Sequence, residues 1–250
     1  MPAVFVHGNP ETSAIWGRLF EALDRDDVIA LSPPGFGAPI PEGFGGAALD
    51  YVQWLAAELD QFDEPIDLVG HDWGGGHTMG LLLAYPGRVR SWCTDVIGIL
   101  HPDYEWHDAG KVWQTPGAGE QNIEEMLAIP PADLAGMYAI AGMSPSAAAS
   151  AAAAMNEDMG RCILSLYRSA AQPAMAQLGE LVGQMAVTPG LVINAELDTF
   201  VGTDDMVTEM AQRAGAQVAS IPGAGHWCMC EAPEVAAAAL QDFRASIESD

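Results

Sequence analysis

The residues best placed to do chemistry lie in Gly70-His71-Asp72-Trp73-Gly74, an acidic side chain held between glycines. The short β-type run Ile66-Asp67-Leu68-Val69 precedes this stretch and a helical pattern follows it, so the turn joins a strand to a helix. Only small residues fit around so tight a turn, and the central side chain is projected above the sheet; Gly74, Gly75 and Gly76 supply the room. The spacing is that of a nucleophile elbow with Asp72 in the place more often held by serine. A carboxylate is already ionised at neutral pH, so Asp72 needs no base to become a nucleophile.

A histidine is then needed for water rather than for the nucleophile. His226, in Gly223-Ala224-Gly225-His226-Trp227, sits in a glycine-flanked loop just after the last strand and is the only histidine beyond residue 107. Two acids can orient it. Asp198 lies in the loop beyond the strand near 191–194 and gives the order nucleophile, acid, histidine. Asp95 lies at or just past the end of an earlier strand and is the alternative. His7-Gly8-Asn9-Pro10 leaves the first strand over the elbow, so the N–H groups of Asn9 and Trp73 are expected to point at one anion or oxyanion site. His7 and His71 read as packing and hydrogen-bonding support.

The elements that must hold these residues alternate: strands at 3–6, 28–31, 66–69, 89–100, 191–194 and 217–221, with helices near 14–23, 48–59, 75–85, 204–214 and 233–247. That rhythm predicts an α/β fold, a mostly parallel sheet with helices on both faces. From 101 to 187 the rhythm fails; the chain turns loop-like, then helical and rich in Ala and Met. Segments 1–100 and 188–250 are therefore assigned to one core domain and 101–187 to a helical lid inserted at the carboxyl edge of the sheet, where such folds place ligands. The nearly all-alanine tract 146–155 reads as a good helix former with nothing to recognise.

At 250 residues and 50% hydrophobic content the chain can bury one large core. Nine Lys+Arg against 34 Asp+Glu give a formal net charge of -25, which repels nucleic acid and anionic lipid and favours neutral or cationic substrates. No apolar stretch reaches membrane-spanning length, and the start lacks the basic region of a secretory signal. Cys93, Cys162, Cys228 and Cys230 have neither disulfide nor zinc spacing, and the cluster His101–Asp108 has no established ligand spacing, so no metal is expected and the segment reads as hinge and pocket rim. The expectation is a cytoplasmic enzyme with reduced thiols, a monomer or homodimer.

His71-Asp72-Trp73-Gly74-Gly75 resembles the branch of the α/β-hydrolase superfamily that contains epoxide hydrolases and haloalkane dehalogenases; the His7-Gly8 and Gly225-His226 loops are shared by the wider superfamily. The resemblance covers nearly the whole chain. It implies the α/β-hydrolase fold and a cofactor-independent reaction of a small neutral organic molecule with water, in which Asp72 forms an alkyl ester that His226-activated water hydrolyses. In epoxide hydrolases lid tyrosines protonate the opening ring oxygen; Tyr167 matches the second, and Trp113-Gln114-Thr115-Pro116-Gly117 resembles the early lid, although Ala109, Gly110 and Lys111 stand where the first is sought. In haloalkane dehalogenases Asn9 and Trp73 would hold the halide. Epoxide opening is the first reading, dehalogenation the second, and a non-catalytic binding module on the same scaffold the third.

Overall fold

The computed structural model describes residues 2–185 and 187–248; the far end of the second core segment lies outside them. Six strands form one sheet: β1 (Ala3–Val6), β2 (Val28–Leu31), β3 (Ile66–Gly70), β4 (Val89–Thr94), β5 (Gly190–Ala195) and β6 (Gln217–Ile221). Their order is β2-β1-β3-β4-β5-β6, and every pairing is parallel rather than mostly so. Parallel strands are covered on both faces, which is why β1 reads as a continuous apolar run.

Alternate residues of each strand serve opposite cores. Val4, Val6, Leu68, Trp92 and Val192 pack with α2 (Ala48–Leu59) and α3 (Trp73–Ala84). Phe5, Val69, Cys93, Leu191 and Ile193 pack on the other face with α1 (Gly17–Ala22), α11 (Cys228–Glu231) and α12 (Pro233–Glu248). The chain steps outward from β1 to β2 and then crosses to the other side of β1 to lay down β3. Strand order reverses at that point, and the loops leaving β1 and β3 border the crevice where open α/β sheets bind ligands.

The strand expected over 89–100 ends at Thr94, and Ile97–Leu100 forms a 3-10 turn. Apolarity alone does not separate strand from tight turn here. What stops the strand is Asp95, whose side chain turns back to the elbow, and Gly98, where a Cβ would collide with the Val201 carbonyl. The helix expected over 14–23 is likewise divided, into a 3-10 turn at Ser13–Trp16 and α1.

Between β4 and β5 the chain forms α4 (Asp108–Gln114), α5 (Ala118–Ala128), α6 (Pro131–Ala141), α7 (Pro145–Ala154), α8 (Glu157–Ser169) and α9 (Ala174–Leu181). The alanines of α7 have a packing role that composition does not reveal. Ala147, Ala148 and Ala151 are buried beside Ile15 and Trp16, and Ser150 Oγ lies 2.8 Å from Thr12 Oγ1. Methyl side chains let the helix approach the core closely. The remaining helix, α10 (Asp204–Ala214), follows β5 and ends on Gly215 in the left-handed conformation.

Candidate active site

The elbow is built as its spacing requires. Asp72 has φ 49 and ψ -127, and among the described residues it is the one non-glycine with positive φ. Such a conformation costs on the order of 1–3 kcal/mol and persists only where the surroundings over-determine it. Two glycines make the surroundings possible: a Cβ on Gly74 would strike the Val6 carbonyl, and one on Gly8 would strike Asp72 Oδ1 and Trp73 N. The loop after β1 therefore lies directly on the turn after β3, and Asn9 N–H donates to Asp72 Oδ1 at 2.7 Å.

His226 reaches the same carboxylate. Its Nε2 stands 3.6 Å from Asp72 Oδ2, and its Nδ1 is 2.8 Å from Asp198 Oδ2. Asp198 is held in turn by the N–H of Phe200 at 2.8 Å. Asp95, the alternative acid, bonds elsewhere: Oδ1 accepts the backbone N–H of Asp72 at 3.1 Å, and Oδ2 is paired with His71 Nδ1. The reason is position, since Asp95 follows β4 directly and is drawn under the elbow, while Asp198 sits farther out on its loop.

Charge completes the picture. Burial works against a charged His226, yet Asp198 and Asp72 outweigh it and raise its pKa to about 10. Burial likewise opposes ionisation of Asp72, but the hydrogen bond and charge of His226, with help from His71 and the Asn9 N–H, hold it below the ordinary carboxylate range. At neutral pH the resting pair is carboxylate and imidazolium.

Beside Asp72 lies a small cavity lined by Trp73, Trp106, His107, Tyr167 and Phe200. Its lining carries the Tyr167 hydroxyl and His107 Nε2, 3.5 Å apart, and the indoles of Trp73 and Trp106, the latter with its N–H buried and unpartnered. Burial and the nearby Asp72 push the Tyr167 phenol well above its ordinary value, so it keeps its proton. His107 caps α4, its Nδ1 accepting the Gly110 N–H at 3.2 Å. Burial lowers its pKa, so the ring is neutral with the proton on Nε2, facing Tyr167. Segment 101–108 thus forms pocket rim as expected, but the donor function of His107 was not legible in it.

Asn9 has a second role. Both atoms of its side-chain amide are buried without a hydrogen-bond partner. That amide and the Trp73 indole approach the Tyr167 hydroxyl closely enough to temper its pKa without completing an ordinary hydrogen bond. Trp113, by contrast, stands behind the cavity. Its ring packs edge-on to Tyr167 at 4.7 Å and its N–H is taken by Asn122 at 2.8 Å, so it supports Tyr167 and offers nothing to a ligand.

The residue sequence reasoning passed over is Glu11. It is fully buried and accepts the Gly8 N–H at 3.0 Å, His71 Nε2 at 3.0 Å and the Trp227 indole at 2.5 Å. One acidic residue in an otherwise neutral loop was the available signal. His7 is support as expected, bonded to the Gly8 carbonyl and Ser32 Oγ at 3.0 Å each. Ligand atoms of Glu11, His71 and His226 lie within 4.8 Å of one another, but His71 and Glu11 bond each other directly and His226 Nδ1 is tied to Asp198, leaving no gap shaped for an ion.

A parallel sheet carrying an acid on a strained turn after β3, with an acid–histidine pair from later loops, defines an α/β-hydrolase fold. The chain belongs to the alpha/beta hydrolase family, whose model matches residues 3–239. It is 27% identical over 251 residues to the 2-(acetamidomethylene)succinate hydrolase of Mesorhizobium japonicum, covering 96% of this chain and 86% of that enzyme. It is 34% identical over 110 residues to the cis-3-alkyl-4-alkyloxetan-2-one decarboxylase of Shewanella oneidensis, a match to 41% of this chain that spans only 34% of the enzyme. Its fold is that of a haloalkane dehalogenase loop variant from Bradyrhizobium elkanii, with a TM-score of 0.76 at 19% identity over 99% of this chain and 90% of the other.

Proposed function

We propose that the protein hydrolyses small neutral epoxides to diols, with Asp72 as nucleophile, His226 as base toward water, Asp198 as its orienting acid and helices of segment 101–187 as a lid. The observation that carries this reading is that Tyr167 Oη and His107 Nε2, 3.5 Å apart, line the same cavity as Asp72. An epoxide oxygen leaves as an alkoxide and needs hydrogen-bond donors and then a proton; two donors converging on one point meet that need. In this reading His107 serves as the second donor beside Tyr167, since Ala109, Gly110 and Lys111 supply no early-lid tyrosine.

Asp72 attacks a ring carbon, the C–O bond opens toward Tyr167 and His107, and an alkyl-enzyme ester results. Water, deprotonated by His226, then attacks the ester carbonyl. The N–H of Asn9 already donates to the Asp72 oxygen that would become the carbonyl oxyanion. No cofactor enters this sequence. The aromatic walls of Trp73, Trp106 and Phe200 suit a small uncharged substrate.

A second reading is supported by a specific observation. The unpartnered Asn9 amide and the Trp73 indole are N–H donors beside Asp72, and a departing halide asks for donors but no proton. Incubation with a terminal epoxide and, separately, a bromoalkane separates the two: diol without bromide supports epoxide opening, bromide without diol replaces it with dehalogenation. Mass spectrometry of His226→Gln after exposure to a confirmed substrate should find the ester on Asp72; a clean, unmodified Asp72 refutes the nucleophile. Turnover of neither substrate class leaves the binding-module reading.

A further inference from the structure

Beneath the cavity, sealed in the core, lies a second group of ionisable residues to which the two-step reaction gives no task. His71 is buried with Nδ1 paired to Asp95 Oδ2 and Nε2 3.0 Å from Glu11 Oε1. Each acid also accepts a hydrogen bond from another donor. Glu11 also takes the N–H of Gly8 and the indole of Trp227, and Asp95 takes the N–H of Asp72. A ring that faces a carboxylate at each nitrogen carries a proton on each. His71 is therefore an imidazolium, and it cannot lose a proton without leaving one of the two acids unmatched.

This cation is close to the histidine that must change charge. The ring centroids of His71 and His226 are 4.7 Å apart. Around His71 stand Glu11, Asp95, Asp72, neutral His7, the Cys228 thiol and the edge of Trp16. Around His226 stand Asp72, Asp198, His71, the nearer oxygen of Glu11 and the rings of Phe200 and Trp227.

We propose that the Glu11–His71–Asp95 clamp is a charge-setting, positioning device whose fixed cation drives the proton off His226 once Asp72 has become an ester. The inference rests on the carboxylate-nucleophile reading above. In the resting enzyme two carboxylates hold the His226 proton. Attack forms the bond between Asp72 oxygen and substrate carbon and breaks the ring C–O bond, whose electron pair becomes an alkoxide that takes the Tyr167 proton. His226 has then lost one of its two anions while His71 remains. It passes its proton across the cavity to the Tyr167 phenolate and becomes a neutral base. Water gives that base one proton as it attacks the ester carbonyl; the diol leaves with the other, restoring carboxylate and imidazolium. One water is consumed, and no proton is drawn from solvent. The directions agree with the geometry: the two acids lift His71 well above its ordinary value despite burial, and Glu11 is held low despite burial by His71.

The decisive measurement is the pH dependence of ester hydrolysis in single turnover of a terminal epoxide, made on the intact protein, His71→Gln and the charge-balanced Glu11→Gln/His71→Gln. Loss of the cation alone should raise the pKa that governs ester hydrolysis by about one unit, slowing that step by up to about tenfold on the acid side of the profile while the ester still forms. Removing cation and anion together should return the profile toward wild type, which a purely structural role would not do. An unmoved profile in His71→Gln with the ester still forming overturns the inference; absence of any ester in the wild type overturns the proposed function instead. If the variants do not fold, nitrogen NMR of the wild type decides: both His71 ring nitrogens should stay protonated between about pH 5 and pH 9, and titration within that window overturns the clamp.

Discussion

Two histidine–aspartate pairs stand side by side at the carboxyl edge of the sheet, one from the loops after β5 and β6, the other from the ends of β3 and β4. In the first, His226 bonds Asp198 through Nδ1 and leaves Nε2 facing Asp72 at 3.6 Å. In the second, both nitrogens of His71 are filled, by Asp95 and Glu11. The residue types are the same and the rings nearly touch. What separates them is the acid at the second nitrogen: Asp72, 3.6 Å from His226 Nε2, is the group that loses its charge as an ester in the proposed reaction, whereas Glu11 keeps its charge beside His71 throughout.

The largest effects expected are those that interchange the two pairs' roles. Asp198→Asn should slow ester hydrolysis by about 10²–10⁴-fold with little change in stability, because the imidazole loses its orienting anion. Asp95→Asn should do the reverse, lowering stability in urea by about 3 kcal/mol through the broken buried pair while an ester still accumulates with substrate. If Asp95→Asn abolishes turnover as deeply as Asp198→Asn, the distinction drawn between the pairs is lost.

Tyr167→Phe sharpens the contrast from the cavity side. It should slow epoxide opening by about 10²-fold and leave any release of bromide from a bromoalkane untouched, as rates of diol and halide formation will reveal. Stability against pH comes next. His226, raised to about 10, contributes fully below the unfolded histidine value of about 6.5 and loses that contribution as pH climbs toward its folded value; His71 behaves alike. Asp72, Asp198 and Glu11, all held low, contribute above the ordinary carboxylate range and lose it as pH falls through their folded values. His7 and His77, held by burial to about 4 and about 3, lose stability as pH falls below the unfolded histidine value, so urea midpoints should be highest near about pH 6.5, and in Asp95→Asn the alkaline decline should end at lower pH, because His71 is then held by one acid. The smallest change expected is Trp113→Phe, which deletes the bond to Asn122 but keeps the packing behind Tyr167; about 0.5–1.5 kcal/mol of stability should be lost, with kcat/KM for epoxide altered only a few-fold.

Much of this was legible in the sequence where the signal is local. The spans Ala48–Leu59, Asp204–Ala214 and Gln217–Ile221 fall where periodicity puts them, and the glycines around Asp72 announce the elbow because steric demand acts on immediate neighbours. Asp198 and His226 were findable because each leaves a strand into a loop at the same sheet edge. What was hidden depends on which side chain meets which after folding. Asp95 and Asp198 are both acids past strand ends, and only the three-dimensional position of β4 beneath the elbow sends one to His71. Glu11 looks like a loop residue until three donors from distant segments converge on it, and the donor state of His107 follows from a helix cap that spacing does not disclose.

The sheet that positions all of this remains open. Among the described residues β6 has a single neighbour, β5, and most of its side chains are exposed, Val218 among them. Its outer rim offers a row of backbone donors and acceptors on which another copy could template itself. The 34 acidic residues against nine basic ones set up a mutual repulsion that opposes such pairing. Colloidal behaviour is thereby tied to ionisation: acidification that discharges the carboxylates removes the guard from this rim, so self-association should begin there before the two cores give way.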